Sequence, residues 1–128
     1  MKLFVNGGWK GVEIDDYLPI NKYGDFLCAY SSRGKMWVSL IEKAYLKIHG
    51  GYDFDGSNSS RDLYVLTGWL PQKYDLKKDL DRNALWKRIH AGYKNNDCLI
   101  TVGTGQIPDE DAVGLVGCHA YAILEIVE

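Results

Sequence analysis

The sequence predicts an α+β fold with a largely antiparallel sheet, and three observations predict it. Strand-like segments stand at both ends of the chain, two amphipathic helical patterns stand between them, and no alternation of strand and helix runs through it that would build a parallel sheet. The 128 residues are read as a single domain over 1–128, long enough to bury one core, with no internal repeat, low-complexity tract or linker.

The first element is a β-hairpin. Segments 2–5 and 9–15 flank Asn6-Gly7-Gly8, and Asn-Gly supplies the positive φ angles that a tight primed turn demands. Tyr17-Leu18-Pro19 ends the second strand, because proline cannot continue a ladder. Segment 26–30 reads as a short third strand, bounded by Tyr23-Gly24-Asp25 and Ser31-Ser32.

The strongest helical pattern follows. Trp37, Leu40, Ile41, Ala44, Tyr45 and Ile48 fall at i, i+3, i+4, i+7, i+8 and i+11, which places all of them on one face. Glu42, Lys43 and Lys47 take the opposite, solvated face, and Gly50-Gly51 offers the left-handed conformation that ends a helix. Segment 52–60 is polar loop. Ser59 and Asp62 have capping-box spacing, so a short helix over 60–66 is expected, broken by Thr67-Gly68-Trp69-Leu70-Pro71. A second amphipathic helix over 81–93 turns Leu85, Trp86, Ile89 and Tyr93 inward. A strand over 98–102, a mobile connection over 103–111 and a final strand over 119–127 complete the chain.

Composition narrows the function classes. A formal net charge of −2 argues against a protein that coats phosphates, so no nucleic-acid partner is expected. Cys28, Cys98 and Cys118 are an odd set without CxxC spacing, which suits reduced thiols in the cytoplasm better than a disulfide scaffold. The apolar run Leu3 to Val5 is too short for a signal peptide, and no stretch approaches a membrane span. Sixteen aromatics (four Trp, nine Tyr, three Phe) suit a core first and a binding cleft second.

Several motifs fail on inspection. Asp53-Phe54-Asp55-Gly56 resembles part of a calcium loop, but with Gly56 in the sixth position the first ligand would be Gly51, which has no side chain. Gly103-Thr104-Gly105 opens like a dinucleotide fingerprint, but Pro108 stands where the third glycine belongs. His49, His90 and His119 have no metal-ligand spacing with the cysteines, so neither a metal site nor a cofactor is expected.

His119 is different. It opens the last strand directly after Gly114-Leu115-Val116-Gly117-Cys118. Ala120, Ala122, Leu124 and Ile126 form one apolar face of that strand, expected to meet the core, and His119 lies on the other with Tyr121. Two readings stand on the residues alone: a general base reaching into a cleft, or a strand-end histidine satisfied by a backbone carbonyl. Cys118 is not its nucleophile, because neighbours in an extended strand point to opposite faces. Cys28 and Cys98 are read as small buried hydrophobes within strands.

The order Val12-Glu13-Ile14-Asp15-Asp16-Tyr17-Leu18-Pro19, then Trp37-Val38-Ser39-Leu40-Ile41-Glu42-Lys43-Ala44-Tyr45-Leu46-Lys47, then Gly51-Tyr52, Leu66-Thr67-Gly68, Gly114-Leu115-Val116 and His119-Ala120-Tyr121-Ala122 resembles the calpain-type cysteine proteases of the papain-like clan. Gly50-Gly51-Tyr52-Asp53-Phe54, Gly56-Ser57-Asn58 and Leu66-Thr67-Gly68-Trp69 look most like the PalB-like atypical branch. The resemblance implies the β-rich, histidine-bearing half of a papain-like catalytic domain, with His119 as the catalytic histidine. It implies a cysteine-bearing half of the same domain as partner, its nucleophile preceding Met1, and an orienting asparagine beyond Glu128. Gly56, Asn58, Gly117 and Cys118 would line the cleft for an extended protein or peptide substrate. The isolated chain is then expected to be inactive. Two departures stand out: Cys118 occupies a position that is usually glycine, and Lys35 stands where conventional members place an acidic calcium ligand before the helix tryptophan. A lysine cannot ligate calcium, so no calcium site is expected through this segment. The alternatives are a calpain-like interaction module without chemistry and a free-standing aromatic-rich domain that binds peptide or glycan.

Overall fold

The computed structural model describes residues 1–127. Its elements run β1 (Lys2–Val5), β2 (Gly8–Gly11), α1 (Trp37–Ile48), α2 (Ser59–Thr67), α3 (Arg82–Lys94), β3 (Thr101–Gly103), α4 (Glu110–Val113) and β4 (Ala120–Ala122). This is the α+β arrangement expected, with β1 antiparallel to β2 and β3 antiparallel to β4. The chain forms two compact units, Met1–Pro71 and Gln72–Glu128.

In the first unit, Asn6 and Gly7 carry φ angles of 52° and 75°, the mirror-image turn that lets two strands close after two residues. The register pairs Lys2 with Gly11 and Val5 with Gly8. The second strand stops at Gly11 rather than running to Asp15. Val12 and Met1 still exchange backbone hydrogen bonds, after which the backbone is taken over by α1: the Lys47 ammonium donates to the Glu13 carbonyl at 2.6 Å, and that of Lys43 to the Tyr17 carbonyl. The expected third strand over 26–30 is also absent. It reduces to one bridge between Ile20 and Phe26, and both backbone groups of Ala29 go to α1, its N–H to the Glu42 carboxylate and its carbonyl to the Ser39 hydroxyl (2.6 and 2.7 Å).

Helix α1 starts and ends where the apolar period does. Gly51 N–H bonds the Leu46 carbonyl at 2.9 Å and Gly50 N–H reaches back to Lys47, a Schellman end that their φ angles of 127° and 100° permit. Its inward face is rotated from the expected one: Ser39, Ala44, Tyr45 and Leu46 are buried, whereas Trp37 is 61% exposed. Leu3, Val12, Ala44, Tyr45, Leu46 and Val65 form the core, with Val5, Ile14, Phe54 and Leu66 packed against it. Helix α2 begins one residue before the expected start, because Asn58 rather than Ser59 is the cap and its side chain accepts from Arg61 N–H at 3.1 Å.

In the second unit, Asp81 caps α3 by accepting from Ala84 N–H at 2.9 Å. Leu85, Ile89 and Tyr93 are half-buried, but Trp86 lies outward and stacks on His90. The strand expected over 98–102 is shifted to Thr101–Gly103, and the one expected over 119–127 is confined to Ala120–Ala122. The connection over 103–111 is not uniformly loose, since Gly103 belongs to β3 and Asp109 caps α4 through Ala112 N–H. The faces of the last strand are reversed as well: Ala120, Ala122 and Leu124 are exposed, while Tyr121 and Ile123 are half-buried.

Candidate functional site

The β3–β4 ladder pairs Thr101 with Ala122 and Gly103 with Ala120, which brings Thr104 opposite His119 one step further on. Thr104 N–H donates to the His119 carbonyl and His119 N–H donates to the Thr104 hydroxyl oxygen, both at 2.9 Å. That hydroxyl donates in turn to the Val116 carbonyl at 2.7 Å, with the His119 carbonyl at 3.2 Å. The turn ahead of the histidine is fixed at each amide: Val116 N–H donates to the Tyr121 phenol oxygen (2.8 Å), Gly117 N–H to the Glu110 carboxylate (2.6 Å) and Cys118 N–H to the Gly105 carbonyl (2.9 Å). Four consecutive amides, 116–119, thus have four different partners.

The imidazole of His119 is exposed, and its ring meets that of Tyr121 edge-on, with centroids 5.0 Å apart at 80°. Residues i and i+2 of a strand share a face, so this contact follows from the alternation read in the sequence. Cys118 is not part of the strand. Its φ of 50° is left-handed, so its side chain does not follow the strand alternation expected for it. Gly117 has no room for a side chain, since a Cβ there would lie 2.9 Å from the Glu110 carboxylate and 3.1 Å from Ile107 N. Val113, Leu115 and Val116, shortly before His119 in the chain, are exposed.

Gly117, Cys118 and His119 therefore share one turn of the second unit, whereas Gly56 and Asn58 lie in the first. Gly56 carries a φ of 107°, and the Asn58 side chain is engaged as the α2 cap. The other histidines have local partners: His49 Nδ1 is 2.8 Å from the Tyr45 carbonyl and stacks on Tyr45, and His90 stacks on Trp86. Among the described residues no three His, Cys, Asp or Glu side chains converge as metal ligands. A shallow cavity of about 500 Å³ in the first unit, bordered by Glu13, Asp15, Lys43, Lys47 and Tyr52, has both its lysines committed to Asp15 and to backbone carbonyls. Thr104 and Glu110 were not singled out by sequence reasoning. Thr104 sits inside the rejected Gly103-Thr104-Gly105 motif and Glu110 inside an acidic run, and neither context signals a bond to a turn that follows later in the chain.

The calpain family cysteine protease model matches residues 1–128. The chain belongs to the calpain family. Human Calpain-7 is 46% identical over 138 residues, covering 100% of this chain and 16% of the relative. Calpain-like protease palB/cpr-8 of Neurospora crassa is 44% identical over 98% of the chain, and calpain-like protease palB/RIM13 of Aspergillus oryzae 42% over 99%, covering 14% and 16% of those proteins. The calpain-family chain thus spans about a sixth of the length of the curated relatives it matches. No solved structure matches it.

Proposed function

We propose that this chain supplies the general base of a calpain-like cysteine endopeptidase, with His119 as that base and the nucleophilic thiol outside these 128 residues. The observation that carries the reading is the exposed imidazole at the end of a turn in which each amide is held. Such a histidine deprotonates a thiol brought against it, forms the ion pair that attacks a peptide carbonyl, and returns the proton to the leaving amine. An asparagine from outside the chain would orient the ring, and the reducing cytoplasm would keep the thiol active.

The substrate role of the turn is narrowed by its own bonding. The amides of Gly117 and Cys118 are engaged by Glu110 and Gly105, so an extended peptide would meet the carbonyls of these residues. At Asn58 the side chain is occupied as the α2 cap, which leaves it no free amide oxygen to offer a substrate there.

The test has two parts. His119→Ala in the complete gene product should lower peptide hydrolysis by at least a hundredfold, and the isolated 128 residues should hydrolyse no peptide. Undiminished hydrolysis by the variant would move the chain to the class of non-catalytic interaction modules.

A further inference from the structure

We propose that Thr104 is a positioning residue for His119, acting with Glu110 and Tyr121 to hold the turn 116–119 so that the imidazole is presented in one orientation. This rests on the reading of His119 as the general base. The direction in which an imidazole leaves the chain is set by the backbone that bears it, and here that backbone is gripped from both sides. The Thr104 hydroxyl accepts from His119 N–H at 2.9 Å and donates to the Val116 carbonyl at 2.7 Å, so one side-chain oxygen ties the histidine to the start of its own turn. Thr104 N–H on the His119 carbonyl completes the peptide frame.

The other two side chains act on the residues between. Glu110 takes the Gly117 amide at 2.6 Å, in a bond strengthened by the carboxylate charge, and the missing Cβ of Gly117 is what allows the approach. Tyr121 acts twice, its oxygen accepting from Val116 N–H and its ring edge bounding the imidazole 5.0 Å away. The left-handed Cys118 lies inside this clamp, and such a conformation persists only where its surroundings over-determine it. Displacement of a catalytic group by about 1 Å costs on the order of a hundredfold in rate. A hydroxyl that fixes the histidine's backbone is therefore felt at the reacting atoms without touching them.

The test compares Thr104→Val, which keeps shape and removes the hydroxyl, with Thr104→Ser, which restores it, in the complete gene product labelled with 13C-histidine. In Thr104→Val the ring-current shift that Tyr121 imposes on the His119 ring protons should be lost, and kcat should fall at least tenfold with KM within threefold. Thr104→Ser should recover the shift and bring kcat within threefold of the natural protein. If Thr104→Val lowers stability but leaves kcat and the ring shift unchanged, the proposal is overturned and Thr104 only supports the fold. If Thr104→Val does not fold, Tyr121→Phe removes only the phenol oxygen from Val116 N–H and keeps the ring. It should then lower kcat in the same way, and unchanged kcat would overturn the clamp. His119→Ala separates the two ideas. Full activity in that variant refutes the general-base reading, while the ring shift still decides whether Thr104 positions the imidazole.

Discussion

At Cys118 the backbone adopts a conformation that its side chain does not favour. Among the described residues three non-glycine residues have positive φ: Asn6, Asn96 and Cys118. Asparagine tolerates the left-handed region because its short amide bonds locally, but a cysteine Cβ crowds the following carbonyl at a cost of roughly 1–2 kcal/mol. The left-handed turn before the histidine is one that glycine enters without strain, which fits the glycine expected here from the family resemblance. Cys118→Gly should relieve the strain while returning roughly 0.4–1 kcal/mol of chain entropy to the unfolded state, a net stabilisation of about 0.5–1 kcal/mol. Cys118→Ala, which keeps the Cβ, should give no such gain. Urea unfolding of both variants checks this, and equal stabilities would place the strain elsewhere. The exposed thiol itself is dispensable to the turn, whose bond at this residue comes from the main chain.

At the scale of elements, the three longer helices are legible, whereas the short α4 and most of the strands are not. Helix α1 was legible because its period and its Gly50-Gly51 stop are local features, and the β1–β2 hairpin because Asn6-Gly7 permits little else. The strands failed where side chains took the backbone groups a ladder would have used. Glu42, Lys43 and Lys47, read as a solvated face, bind Ala29 N–H and the carbonyls of Tyr17 and Glu13, so the segment between β2 and α1 is tethered to the helix instead of pairing. The same physics hid part of the candidate site. His119 stood out by its place after a glycine-rich segment, with its role given only by the family resemblance, but the left-handed Cys118 and the grip of Thr104, Glu110 and Tyr121 on amides 116–119 rest on side-chain-to-backbone bonding that no periodicity encodes. Asn58 illustrates the consequence. It was expected to serve the substrate, and its side chain caps α2. Asn58→Ala should therefore cost about 1 kcal/mol, whereas Asn58→Asp should retain most of the stability. Thermal unfolding of the two variants decides it, and equal losses in both would show that the cap contributes nothing.

For the molecule as a whole, every fully buried side chain among the described residues lies in the unit Met1–Pro71, so the global response to pH should be governed by the groups that tie that unit together. Three groups of this unit titrate away from their ordinary values, Asp15 downward and Tyr45 and Tyr52 upward, with burial the main cause at Tyr52. The Lys43 ammonium and the Tyr17 N–H hold the Asp15 carboxyl below the usual carboxylate range. Burial, with the nearby Asp62 carboxylate that its phenol bonds at 2.6 Å, pushes Tyr45 above the usual tyrosine range. A depressed carboxyl stabilises the folded state above its unfolded value, and that stability is lost as pH falls below about 4 through the lower folded value. A raised phenol has the opposite sign: its contribution is complete below about pH 10 and is lost as pH rises through the higher folded value. Stability should accordingly form a plateau between these limits, with an acid limb that Asp15→Asn flattens and an alkaline limb that Tyr45→Phe flattens. Tyr45→Phe should leave the acid limb unchanged, since Tyr45 and Asp15 share no hydrogen-bond partner, whereas Asp15→Asn should also trim the alkaline limb slightly, because the Tyr52 phenol is raised chiefly by burial and in small part by the Asp15 charge. Urea midpoints across the pH range measure both limbs. An acid limb of unchanged slope in Asp15→Asn would mean that the Lys43 pair adds nothing to folding, as exposed pairs often do.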